Sequence, residues 1–249
     1  MVSLFDFEES PQCSDESECI KKMYKNCREY GDSSAKRLAP YHDLRTRKYS
    51  QRLTDCGITH SAQWKGEEGG KEKNILGNNV DAYFTTSPKD KGVIVEYKAP
   101  VKSFNKNRRH FIDNLCGHSE DFHLDDYKFC TDILFCSSIP ICKQDEKDKN
   151  RYTIEGFDTP ECFLRDYKEK YVRKEEKWAG TMPMFTIVTI FSIDGFDEKE
   201  WIGKEVDEFF EYIINSELVE CHVYDDMATD YLFINEDEKA LDKICEMMK

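Results

Sequence analysis

The chain has 249 residues, 39% of them apolar and 35% charged, which suits one well-packed domain with a heavily solvated surface. No apolar run approaches the ~20 residues needed to span a bilayer. The acidic opening MVSLFDFEESPQCSDESE lacks the basic and apolar regions of a signal peptide, so a cytoplasmic protein without a membrane partner is expected. The net charge of −14 argues against a polyanionic partner only while the chain is taken whole. Residues 1–19 carry 6 acidic and 0 basic groups, residues 20–110 carry 20 basic against 10 acidic, and residues 111–249 carry 16 basic against 34 acidic. Only the middle section has the sign that steers a polyanion. The 11 cysteines are odd in number and form no C-x-x-C pair, so they are expected to be reduced, mostly buried small side chains.

In chain order, residues 1–19 read as an acidic, poorly ordered lead-in. Residues 20–249 read as a single domain, with a core at about 60–140 and an acidic elaboration at about 150–249. Ile20, Met23, Tyr24 and Cys27 have helical spacing, and GDSS after Tyr30 supplies a stop and a new cap. Residues 41–53 set Arg45, Arg47, Lys48 and Arg52 beside Tyr41 and Tyr49, a mixture suited to phosphate and base contact. Ser61 reads as the cap of a short helix. Glu67 and Glu68 are candidates for an extra acidic group upstream of the strands that follow.

Residues 79–86 and 92–98 predict an antiparallel hairpin around SPKDKG. Strand side chains alternate faces, so Val93, Val95 and Tyr97 point one way and Ile94, Glu96 and Lys98 the other. A carboxylate and an ammonium on an otherwise apolar strand are costly unless paired or used. After Pro100, Phe104, Phe111, Ile112 and Leu115 mark the apolar face of a helix, with Lys102, Lys106, Arg108 and Arg109 near its start as further phosphate contacts. Strands are expected at 131–139, 184–193 and 231–235, and helices at 160–178, 197–218 and 236–248. The helix carrying Trp201, Phe209 and Phe210 serves either as core or as an interface to a second copy.

Asp81 and Glu96 on adjacent strands can share a divalent cation. Hard carboxylate oxygens suit Mg2+ or Mn2+, ions that retain waters and take one or two protein carboxylates plus substrate phosphates. Lys98, two residues beyond Glu96, reaches the same face and can orient water and offset developing negative charge.

Asp81, fourteen residues and then Glu96-Tyr97-Lys98 resembles the D…(D/E)-x-K signature of the PD-(D/E)XK nuclease superfamily. The resemblance covers roughly residues 60–140, and Val80-Asp81 departs from the literal Pro-Asp. It implies an α/β (α+β) fold with a restriction-endonuclease-like mixed sheet flanked by helices. It further implies Asp81 and Glu96 as metal ligands, the Tyr97 backbone carbonyl as a further ligand, and Lys98 as catalytic. The expected function is a magnesium- or manganese-dependent endonuclease acting on double-stranded DNA, in restriction or antiviral defence. The alternatives are a nuclease acting on RNA or RNA ends, and a non-catalytic module binding nucleic acid, a second copy or another protein through its acidic C-terminal part. Cys116, His118 and His123 are close in sequence but lack a zinc-ligand pattern. Asp125-Asp126 and Asp225-Asp226 read as solvated pairs.

Overall fold

The computed structural model describes residues 16–31, 35–66, 80–87, 91–149, 151–175, 183–221, 233–234 and 237–249. Glu67, Glu68 and Asp225-Asp226 lie outside them.

Alternation of large apolar residues along three strands builds the centre of the molecule. The strands β1 (Ser61–Trp64), β2 (Ala82–Thr85) and β3 (Val93–Lys98) form an antiparallel meander. β4 (Lys128–Cys136) pairs parallel with β3, and β7 (Thr186–Ile193) pairs parallel with β4. Antiparallel β8 (Leu218–Cys221) and the short parallel β9 (Phe233–Ile234) complete a mixed sheet in the order β1-β2-β3-β4-β7-β8, with β9 also on β7. A separate hairpin joins β5 (Ile139–Gln144) to β6 (Tyr152–Asp158).

The helices α1 (Glu16–Tyr30) and α2 (Ala39–Asp55) cover one face of the sheet, and α3 (Phe104–Leu124) and α4 (Pro160–Glu175) the other. Tyr97 on β3 meets Thr46 of α2 through a hydroxyl hydrogen bond of 2.9 Å. On the opposite face Ile94 packs with Phe122 of α3, Phe129 and Val80. Phe135 packs edgewise on Phe104 of α3 and against Phe163 of α4. The alternation expected for β3 is therefore the alternation observed. α5 (Val206–Asn215) packs on α1 through Tyr24 and Phe210, while α6 (Asp237–Met248) reaches α2, where Arg52 donates to Asp242.

One buried polar network fixes α2 to the sheet. Asp132 of β4 is 0% exposed and accepts from Tyr41 Oη at 2.8 Å, Arg45 Nε at 2.7 Å and Tyr49 Oη at 2.5 Å. Tyr41, Arg45 and Tyr49 are four residues apart in turn, so they lie along one helix face. Among the apolar side chains around it, such a carboxylate is tolerable only with this set of donors.

Several expectations are corrected. α1 begins at Glu16, inside the stretch read as a disordered lead-in, because Cys19 continues the buried stripe of Ile20, Met23 and Cys27 by a turn. Glu16 also pairs with Lys48 at 2.8 Å and with Arg45 at 3.3 Å. Ser61 opens a strand, not a helix: Ala62 to Trp64 pair with β2, and the Trp64 indole donates to buried Asp43 at 2.7 Å. The helix expected over 197–218 is divided, since Gly203 (φ +89) ends a short 3₁₀ turn at Glu198–Glu200 before α5 starts. Trp201, Phe209 and Phe210 are buried in the core, so they are not an exposed interface.

Candidate functional site

The end of the β2–β3 pair brings the three sequence-predicted groups together. The register pairs Ala82 with Val95, so one step further along Asp81 stands across from Glu96. Asp81 precedes the first residue of β2, and its carboxylate takes the place of the next ladder acceptor: Oδ2 accepts from the Tyr97 amide at 3.0 Å. The other oxygen, Oδ1, accepts from Lys65 Nζ at 3.0 Å. Backbone N–H and C=O of one strand residue face the same edge, so the Tyr97 carbonyl is directed to the Asp81 side.

Glu96 is only 6% exposed. One carboxylate oxygen pairs with the Lys98 ammonium and the other meets His118 Nδ1 of α3 at 2.7 Å. The misplaced charges of β3 are thus paired with each other and with an imidazole from the helix above. Lys98 and His118 keep substantial exposure while Glu96 is covered, so the group opens to solvent through the lysine and the imidazole.

On the α2 side the site is closed by His42, which is 4% exposed. Its Nδ1 lies 2.7 Å from the Lys65 carbonyl oxygen, and its ring lies against Tyr97 with centroids 4.9 Å apart. His42 and Thr46, four residues apart, thus grip the ring and the hydroxyl of Tyr97.

Burial favours the neutral form of the Asp81 carboxyl, but the positive groups His42, Lys65 and Lys98 outweigh it and hold the carboxyl below its usual value. Burial also pushes His42 below the usual imidazole value, against the opposing pull of Asp81. His118 moves upward, because the hydrogen bond to Glu96 outweighs its partial burial.

The predicted nucleic-acid contacts separate into different environments. Arg45 is 1% exposed and bound to Asp132, so it is a core residue and not an interface residue. Lys48 pairs with Glu16, Arg52 with Asp242, and Arg108 with Asp166 at 2.7 Å. Lys102 lies over the Tyr152 ring at 3.4 Å. Arg47 is half-buried, Arg109 is exposed, and the Lys106 side chain lies outside the described residues.

Sequence reasoning missed Lys65 and His42, and set His118 aside as an incidental metal-ligand candidate. The available signal for His42 was its place on the face of a helix whose Tyr41 and Tyr49 are too large and apolar to be solvated together.

Among the described residues, no three His, Cys, Asp or Glu side chains form a ready-made ligand cluster. The donor set still fits a hard divalent cation: two carboxylates and a backbone carbonyl, open to water on the lysine side, meet the usual protein share of a Mg2+ or Mn2+ shell. No helix among the described residues is long and apolar enough to cross a membrane. No family model, no curated protein and no solved structure matches the chain.

Proposed function

We propose that the chain is a metal-dependent nuclease with a restriction-endonuclease-like fold, hydrolysing phosphodiester bonds in nucleic acid, with double-stranded DNA as the first substrate to test. The observation that carries this reading is the convergence of Asp81, Glu96 and Lys98 at the end of one strand pair, with the Asp81 carboxylate fixed on the Tyr97 amide. Strand order and helices on both faces support the same reading.

Asp81, Glu96 and the Tyr97 carbonyl would hold the cation, which when bound polarises the scissile phosphate and lowers the pKa of coordinated water. The Tyr97 amide keeps one Asp81 oxygen from rotating, so that carboxylate is preorganised. His118 holds one Glu96 oxygen and leaves Lys98 on the other. Lys98, half-open to solvent, places a positive charge where an attacking water and a phosphate oxygen approach Glu96. Lys65 neutralises Asp81 from the β1 side and so limits the cost of burying two carboxylates close together.

A second reading, a nuclease-shaped module that binds without cutting, draws on the pairing of each carboxylate with a lysine. Incubation with supercoiled plasmid, single-stranded DNA and RNA, each with Mg2+, Mn2+ or EDTA, separates the two. Cleavage of any polymer that EDTA abolishes supports the nuclease and names its substrate. Binding without cleavage supports the module.

A further inference from the structure

Two adjacent contacts tie α6 to the end of α2. Arg52 and Cys56 are four residues apart at that end, and Asp242 and Cys245 are three apart on α6, so each pair shares one helix face. In the first contact Arg52 donates to Asp242 Oδ1, from Nε at 3.1 Å and from Nη2 at 2.5 Å. In the second the two cysteines meet over a single acceptor. The Arg52 carbonyl oxygen accepts from the Cys56 amide at 2.9 Å and from the Cys245 thiol at 3.7 Å. Burial, with the hydrogen-bonded Cys56 thiol adding to it, pushes the Cys245 thiol up to about 12, so it keeps its proton at neutral pH. The two thiols differ in access. Among the cysteines with described side chains Cys56 alone is exposed, whereas Cys245 is 3% exposed. Cys56 caps α2 and is followed by Gly57 at φ +72, so no further helical turn covers it. An accessible thiol beside a sheltered one suits a peroxide-reactive cysteine with its resolving partner.

We propose that Cys56 and Cys245 form a peroxide-driven redox latch, in which oxidation joins them in a disulfide that pins α6 to α2. In the first step the Cys56 thiolate attacks one oxygen of hydrogen peroxide. An S–O bond forms, the O–O bond breaks, and the departing hydroxide takes up the proton that Cys56 gave up. In the second step the Cys245 sulfur attacks the Cys56 sulfenic sulfur. The S–S bond forms, the S–O bond breaks, and the hydroxyl leaves as water with the Cys245 proton. Two thiols are thus oxidised by two electrons while one peroxide is reduced to two waters. The disulfide closes a loop of roughly 190 residues, which removes freedom chiefly from the unfolded chain. At its other end α6 is held by Lys128, whose ammonium donates to the Met247 carbonyl, so the latch secures a helix that reaches both α2 and the central sheet. The latch acts whether or not the chain cuts nucleic acid.

The full chain is reduced with dithiothreitol, desalted and exposed to stoichiometric hydrogen peroxide. Remaining thiols are blocked with N-ethylmaleimide, and the product is mapped by non-reducing peptide mass spectrometry and melted. The expected result is a peptide linking Cys56 to Cys245 within one chain, with a rise of about 5–15 °C in melting temperature that dithiothreitol reverses. Cys56→Ser should form no link to Cys245 and show no rise. Cys245→Ala should stop at a Cys56 sulfenic acid, trapped by dimedone. If that variant does not fold, the wild-type peptide map decides alone. Oxidation of Cys56 without the link, or a link to another cysteine or between two chains, overturns the pairing. A Cys56–Cys245 link without a rise in melting temperature overturns the latch.

Discussion

Replacing Asp132 with Ala tests the physical account of how the site is held. Asp132 has no solvent exposure and receives three hydrogen bonds, one from Arg45, which is itself 1% exposed. Removing it takes the buried carboxylate from a guanidinium whose remaining ion pair among the described residues is the 3.3 Å contact to Glu16, and from two buried phenols. Breaking a buried ion pair from one side costs about 3–5 kcal/mol, a large fraction of the ~5–15 kcal/mol that a domain possesses. Tyr41→Phe removes a single hydrogen bond to a charged acceptor, and about 1.5–3 kcal/mol is expected. Urea unfolding followed by circular dichroism measures both, and the midpoints should fall with little change in slope. Because Tyr41 and Tyr49 lie on the helix that carries His42 and Thr46, loosening the network should also free the Tyr97 ring. A loss under ~1 kcal/mol for Asp132→Ala would refute the claim that this network fixes α2 to β4.

Three further outcomes are expected. A methyl group at Gly92 would overlap the backbone carbonyl oxygen of Phe84 on β2, so Gly92→Ala should cost about 1–3 kcal/mol, read from the urea midpoint. The folded His118 value lies above the usual imidazole value, so its pairing with Glu96 contributes stability that is fully present below the unfolded pKa and is lost as pH rises through the folded one. In metal-free buffer the melting-temperature gap between wild type and His118→Asn should accordingly be clear near about pH 5.5 and close near about pH 9; a gap that grows with pH would contradict the pairing. Arg109→Ala should lower the slope of log affinity for nucleic acid against log salt by about 1 without changing the melting temperature, while Arg45→Ala should impair folding itself.

The hairpin was legible because period-2 alternation is a local signal, and the odd residues on it, Glu96 and Lys98, violated that signal in view. α3, α4, β4 and β7 were legible from other local signals: the helical spacing of Phe104, Phe111, Ile112 and Leu115, a start at Pro160 with charge along the length, a short continuous apolar run, and a segment dominated by Thr, Val, Ile and Phe. What was not legible required knowing which elements meet. Arg45 looks like a surface cation in sequence, yet its partner Asp132 is 87 residues away on a central strand. Lys65 and His42 reach Asp81 and Tyr97 only once β1 and α2 have packed beside β2 and β3. The short edge strands β1 and β8 have too few residues for a periodic pattern, and Ser61 carried a cap signal that tertiary pairing overrode. The boundary at Gly203 was present in the sequence but was masked by the apolar stripe on both sides of it.

The most direct test of the central claim is Mn2+-dependent cleavage by the wild type and by Asp81→Asn, Glu96→Gln and Lys98→Ala, each checked for an unchanged circular dichroism spectrum. The account predicts cleavage by the wild type and a loss on the order of 10²-fold or more in every variant. Cleavage that persists undiminished in any of the three folded variants would contradict it.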